Sequence, residues 1–200
     1  DDPYFTVDIL YNTEWADRVY KFRFRGEDLP VYVDLFPFDH CSGEAKKLWA
    51  NFKKLKAEMV KEFRALEKSL QRPYRISFHI PPEDQKKIDA LFAHFADRAE
   101  NMLNISSEKT DQIVYGYDTV FLSDWEQVFS LHDVMPFKQA SFNGTEYPVF
   151  ADAEDVLVKN YKAPYTLPDD IVSHRHTARM GSTAQSRLED LMQSLQNYRF

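Results

Sequence analysis

Apolar residues recur along this chain at two spacings, and the changes between them predict its elements. Residues 19–24 (Val-Tyr-Lys-Phe-Arg-Phe) alternate with period 2 and predict a strand. Residues 31–36 (Val-Tyr-Val-Asp-Leu-Phe) predict a second. They read as apolar on both faces apart from Asp34, the pattern of an inner strand in a covered sheet. From about residue 44 to residue 70 the spacing becomes three to four. Leu48, Phe52, Leu55, Met59, Phe63, Leu66 and Leu70 form one stripe, with Lys and Glu opposite, so a long amphipathic helix is expected, closed by Pro73. Residues 75–80 read as a short extended segment. Pro81-Pro82-Glu83-Asp84 then opens a second helix, with proline in the first turn and acids near the N-terminus. Its expected buried face is Ile88, Leu91, Phe92, Phe95, Ala99 and Met102.

Residues 111–117 predict a strand, and Ser123-Asp124-Trp125-Glu126 fits a capping box before a short helix. Residues 137–142 and 146–150 flank Asn143-Gly144, a strong hairpin signal. Asp152 is placed to cap a helix running to about residue 161. Residues 184–198 predict a last helix, with Leu188, Leu191, Met192 and Leu195 on one face. The elements add up to a mixed α/β fold, α+β-like, with antiparallel hairpins and flanking helices rather than a regular βαβ array.

The composition narrows the function classes. The 200 residues carry a net charge of −7, with basic side chains interleaved among acids. A nucleic-acid groove needs dense positive surface, so no nucleic-acid partner is expected. No apolar run approaches the roughly 20 residues of a membrane-spanning helix. The single Cys41 excludes an internal disulfide and any multi-cysteine zinc site, and suits a reducing compartment. The sequons Asn104-Ile105-Ser106 and Asn143-Gly144-Thr145 count as chance occurrences outside a secretory pathway. The chain opens on Asp1 without Met or a leader pattern, so it is expected to be a piece of a longer protein.

The familiar phosphate, zinc, calcium and nucleophile-elbow motifs are absent from the sequence. Cys41 has acidic neighbours that disfavour the thiolate, so a small, half-buried, unreactive cysteine is expected. Asp34 is the most informative residue. A carboxylate on an inner strand needs either a structural hydrogen-bond partner or a cation, and both alternatives stand. A hard cation would want further carboxylates, and Asp39 follows five residues later. His174-Arg175-His176 could meet a phosphate or be a solvated basic loop, the latter being the default reading without further context.

Four stretches in series carry a resemblance. Val33-Asp34-Leu35-Phe36-Pro37-Phe38-Asp39 resembles the hydrophobic-Asp-hydrophobic-Phe-Pro-hydrophobic-Asp motif of the LicD family, which includes bacterial phosphorylcholine transferases and fukutin-related proteins. Phe142-Asn143-Gly144-Thr145-Glu146-Tyr147-Pro148 resembles its Phe-x-Gly hairpin leading into a proline. Asp155-Val156-Leu157-Val158-Lys159-Asn160-Tyr161 resembles its Leu-x-x-x-Tyr segment. Leu167-Pro168 with His174 and His176 resembles its closing stretch. Lys162 and Ala163 stand where the family usually has glycine, and the family's upstream Asp-rich motif has no counterpart here.

The resemblance implies a single LicD-like domain over residues 1–200, with a family-like core at 18–177 and a terminal helix at 182–198. It implies a nucleotidyltransferase-like fold and a metal-dependent phosphotransferase. An alcohol phosphate (phosphocholine or a polyol phosphate) would move from a CDP-alcohol donor to a hydroxyl of a cell-surface glycan acceptor, at the cytoplasmic face. Asp34 would hold Mg²⁺ or Mn²⁺, Asp39 would act in catalysis or orient a ligand, and His174, Arg175 and His176 would contact phosphate. This chain alone is expected to lack acids essential for transfer. The alternative is a non-catalytic module that keeps the fold and binds a glycan or a protein.

Overall fold

The computed structural model describes residues 2–25, 31–77, 79–119, 126–161 and 181–198. Its strands are β1 (Phe5–Asn12), β2 (Asp17–Phe24), β3 (Tyr32–Leu35), β4 (Phe38–Cys41), β5 (Ile105–Ser106), β6 (Gln112–Tyr115), β7 (Val128–Ser130), β8 (Lys138–Phe142) and β9 (Thr145–Val149). Its α-helices are α1 (Ala45–Leu66), α2 (Pro82–Leu103), α3 (Leu131–Val134), α4 (Ala153–Tyr161) and α5 (Ser182–Ser194). The protein is therefore mixed α/β with several antiparallel sheets, as the sequence predicts. The chain divides into two compact units. One holds residues 1–8, 20–35 and 168–200, and the other holds 9–19 and 36–167.

In the first unit β3 pairs antiparallel with β2, the middle strand of the order β1-β2-β3. The inner-strand expectation for residues 31–36 is overturned. β3 has one strand neighbour among the described residues, and Val33 and Leu35 are 60% and 40% exposed. The physical reason lies in Tyr32. Counted as apolar, it makes the strand look apolar on both faces. In the structure Tyr32 shares its face with Asp34, and Lys21 Nζ sits 3.4 Å from the centroid of its ring. The phenol serves as a platform for a cation on a polar face. That face also carries the Arg23–Asp8 pair at 2.5 Å. On the other face Phe5 stacks on Phe22 with ring centroids 5.0 Å apart.

The second unit is built on α1 and α2. The three-to-four spacing lays Leu48, Phe52, Leu55, Met59 and Phe63 along one buried stripe of α1. Ile88, Phe92, Phe95, Ala99 and Leu103 do the same on α2, and Phe63 meets Phe92 at 4.7 Å between ring centroids. Pro82 occupies the first turn of α2, with Glu83 and Asp84 beside it, and Asn104 ends the helix in the left-handed region at φ 48°. Strands in the order β5-β4-β6-β7 form an antiparallel sheet. The short extended segment expected at residues 75–80 contributes one bridge, between Tyr11 and Ser77. The expected capping box falls on residues 123–126, of which 123–125 lie outside the described residues. Asp152 caps α4 as expected, its Oδ1 accepting from the Asp155 N–H at 3.1 Å.

The β8–β9 hairpin forms about Asn143-Gly144, with both residues at positive φ (53° and 80°) and Phe142 paired with Thr145. Open space surrounds Gly144, so only backbone strain penalises a side chain there. Gly144→Val should cost the hairpin about 1–2 kcal/mol, since a β-branched residue tolerates positive φ poorly. Faster amide exchange confined to β8 and β9 would report it. Unchanged exchange would show that the turn is not what sets the register.

Candidate functional site

The two carboxylates singled out by the sequence lie in different units, and each has its own surroundings. Asp34 stands directly opposite Lys21 in the β2–β3 register, and Lys21 Nζ donates to its Oδ1 at 2.6 Å. The lysine side chain is largely buried, whereas that of Asp34 is 40% exposed. This is the hydrogen-bonded arrangement that the structural alternative requires.

Asp39 lies on β4, an inner strand of its sheet, with β5 on one side and β6 on the other, in register with Val114. Its side chain is half-buried, and no hydrogen bond or ion pair holds it among the described residues. Burial pushes its carboxyl above the usual carboxylate range, and the negative charge of Asp118 pushes it further. His40 opposes both. Asp39 is thus a carboxyl that retains its proton to higher pH than an exposed aspartate does.

Asp118 is fixed by the turn that follows β6. The Gly116 N–H donates to Pro37 O at 2.9 Å and the Thr119 N–H donates to Gly116 O at 3.0 Å, which ties this turn to the Phe36-Pro37 segment. A Cβ on Gly116 would lie 3.3 Å from Asp118 Oδ1 and in ordinary contact with Pro37 at 3.5 Å, so a larger residue would press on the Asp118 carboxylate. Arg18 Nε donates to Asp118 Oδ2 at 2.5 Å, and the Arg18 backbone N–H donates to Asp118 O at 2.7 Å. Asp118 is therefore a charge held in place beside Asp39.

A second buried pair belongs to the same unit. Lys56 Nζ lies 3.3 Å from Asp17 Oδ1 and donates to Ala16 O at 2.8 Å and Thr119 O at 3.0 Å. Burial raises the Asp17 carboxyl; Lys56 opposes the rise, and Asp118 adds to it. Burial lowers the Lys56 ammonium, against the pull of Asp17.

The sequence reading missed Asp17, Lys56 and Asp118. Lys56 had a signal: it stands four residues after Phe52 and three before Met59, within the apolar stripe of α1. Asp17 and Asp118 had none, because their partners are remote in sequence. His174, Arg175 and His176 lie outside the described residues. Cys41 is fully buried, and burial first, then the charge of Asp39, pushes its thiol up to about 11. Its thiolate is disfavoured, as expected, and the side chain is more deeply enclosed than expected.

The chain matches no protein-family model, and no curated protein or solved structure is significantly similar to it. Among the described residues, no helix is long and apolar enough to cross a membrane.

Proposed function

We propose that this chain belongs to a phosphotransferase of the LicD type, with a nucleotidyltransferase-like fold, that moves an alcohol phosphate from a CDP-alcohol to a glycan hydroxyl at the cytoplasmic face. The observation that carries the reading is Asp39: an inner-strand carboxyl, unpaired among the described residues, beside the fixed charge of Asp118. A carboxyl raised by burial and by a neighbouring charge suits proton transfer. The acceptor oxygen would attack the distal phosphorus, the bond from that phosphorus to the cytidylate oxygen would break, and the acceptor proton would pass to Asp39. His174, Arg175 and His176 are proposed to meet phosphate.

The described residues do not by themselves fit a Mg²⁺ or Mn²⁺ site. Asp34 is one carboxylate, already holding Lys21, and no group of three His, Cys, Asp or Glu side chains converges among the described residues. A hard divalent cation takes six or more oxygens. Asp34 is therefore proposed as a ligand only together with acids beyond those described. The Lys21–Asp34 pair also favours a second reading, a non-catalytic module with the same fold that binds a glycan, because the lysine neutralises the carboxylate.

The test is transfer from CDP-choline and CDP-ribitol to a glycan acceptor, measured in the parent protein carrying Asp39→Asn or Asp34→Asn. Asp39→Asn should lower turnover about 10²-fold or more, the contribution of a positioned acid–base group. Asp34→Asn should abolish turnover and leave the fold intact, since the amide keeps the shape of the carboxylate and an oxygen to which Lys21 can still donate. Wild-type turnover in either variant would remove that residue's role. An inactive parent that still binds glycan would establish the module.

A further inference from the structure

Away from Asp39, a cavity of about 630 Å³ opens between the β1–β2 turn and α1, wholly within the second unit. The helix supplies one wall through its own period. Lys53, Lys56, Ala57 and Val60 recur at three and four positions and form a stripe beside the core stripe. Trp15 and Ile76 add apolar wall and are each 55% exposed, so an occupant would remove their surface from water. The volume falls within the range of small-molecule sites, and apolar walls with few polar groups are their usual composition.

The polar groups on these walls differ in what they can offer. Asp17 and Lys56 answer each other at 3.3 Å, and Asp17 Oδ1 is sealed from solvent. Asn12, the last residue of β1, is 9% exposed. Its Oδ1 accepts from the Glu14 N–H at 3.2 Å. Its Nδ2 has no acceptor among the described residues and is not sealed from solvent as Asp17 Oδ1 is. Because Asn12 borders the cavity and is otherwise buried, that donor opens into it. A side-chain amide nitrogen has two N–H donors, and it favours an occupant that brings an acceptor. Charge narrows the choice further. Lys53 lines the cavity and repels a cation. Beside Asn12 in sequence, Glu14 and Glu67 both hold Arg75, at 2.7 and 2.6 Å, so two acids share one base and an anionic head is disfavoured there.

We propose that this cavity binds a neutral, largely apolar small molecule through a carbonyl oxygen that accepts from Asn12 Nδ2. The site is independent of the phosphotransferase reading. The probes are acetophenone, a neutral aryl ketone, and α-methylstyrene, which has nearly the same shape with a methylene in place of the carbonyl oxygen. Titration of the whole chain, followed by ¹H–¹⁵N spectra, should give saturable shifts centred on Trp15, Ala57 and Val60 with both. Asn12→Asp keeps an oxygen for the Glu14 N–H and exchanges the donor for an acceptor. It should weaken acetophenone about fivefold or more relative to α-methylstyrene, the worth of one neutral hydrogen bond. Asn12→Ser gives the same reading without placing a new charge at a buried position: its hydroxyl can still serve the Glu14 N–H but is too short to reach a ligand. Ala57→Trp, at an exposed helical position that borders the cavity, should weaken both probes about tenfold or more, because the indole takes the space they would fill. Absence of saturable shifts, equal losses for the two probes in the Asn12 variants, or unchanged affinity in Ala57→Trp would each overturn the proposal.

Discussion

Lys56→Met should destabilise the protein by about 3–5 kcal/mol, because it removes one member of a buried pair and leaves the other charge uncompensated. Asp17 would lose the ammonium 3.3 Å away, and Ala16 O and Thr119 O would lose their donor. The effect should depend on pH. The folded-state carboxyl of Asp17 is raised by burial above its ordinary value of 3.8. The folded state therefore binds more protons than the unfolded chain between 3.8 and that raised value, and stability falls as pH rises through this window. Without Lys56, the charge that most lowers Asp17 is gone, so the window widens upward. Urea unfolding at pH 4 and pH 7 should show the variant losing more at pH 7. Adding Asp17→Leu should recover much of the loss, since replacing both members of a buried pair by apolar groups is often close to neutral. A loss below about 1 kcal/mol for Lys56→Met at pH 7 would show that water, rather than Lys56, serves Asp17.

Phe52→Ala should cost about 3–5 kcal/mol, the range for truncating a buried phenylalanine. Phe52 is 2% exposed in the stripe of α1, and its ring stacks on that of Trp49 at 5.1 Å between centroids with 14° between the planes. The truncation removes transfer free energy and leaves a cavity that this rigid neighbour fills poorly. The urea midpoint should fall with the slope unchanged, since the surface exposed on unfolding barely alters. A midpoint within the error of wild type would mean that the α1 stripe does not carry the core.

Both predictions rest on α1, and the two residues show how far sequence reaches. The stripe that buries Phe52 is a local repeat, legible without any partner. Lys56 on the same stripe is legible only as an oddity. Its counter-charge lies 39 positions earlier at the start of β2, and nothing in the intervening sequence announces the pairing. The same holds for Asp118, which is held by Arg18 a hundred residues away.

The strands divide in the same manner. The β8–β9 hairpin was legible because Asn-Gly sets a turn whose twist dictates its own register. β4, β5 and β7 were not, being two to four residues long and too short for a period to show. They exist because they complete one another's backbone hydrogen bonds. For β3 the sequence identified a strand and misjudged its place, since the pattern records which side chains are apolar and not what covers them.

The sequence by itself determined the long helices, their buried stripes, the hairpin and the cap at Asp152, all of which depend on residues a few positions apart. Tertiary structure alone decided that Asp34 holds Lys21, that Asp39 stands unpaired among the described residues beside Asp118, and that Asp17 lies buried against Lys56. A charge acquires its partner, its burial and its affinity for protons from chain segments that reach it only on folding.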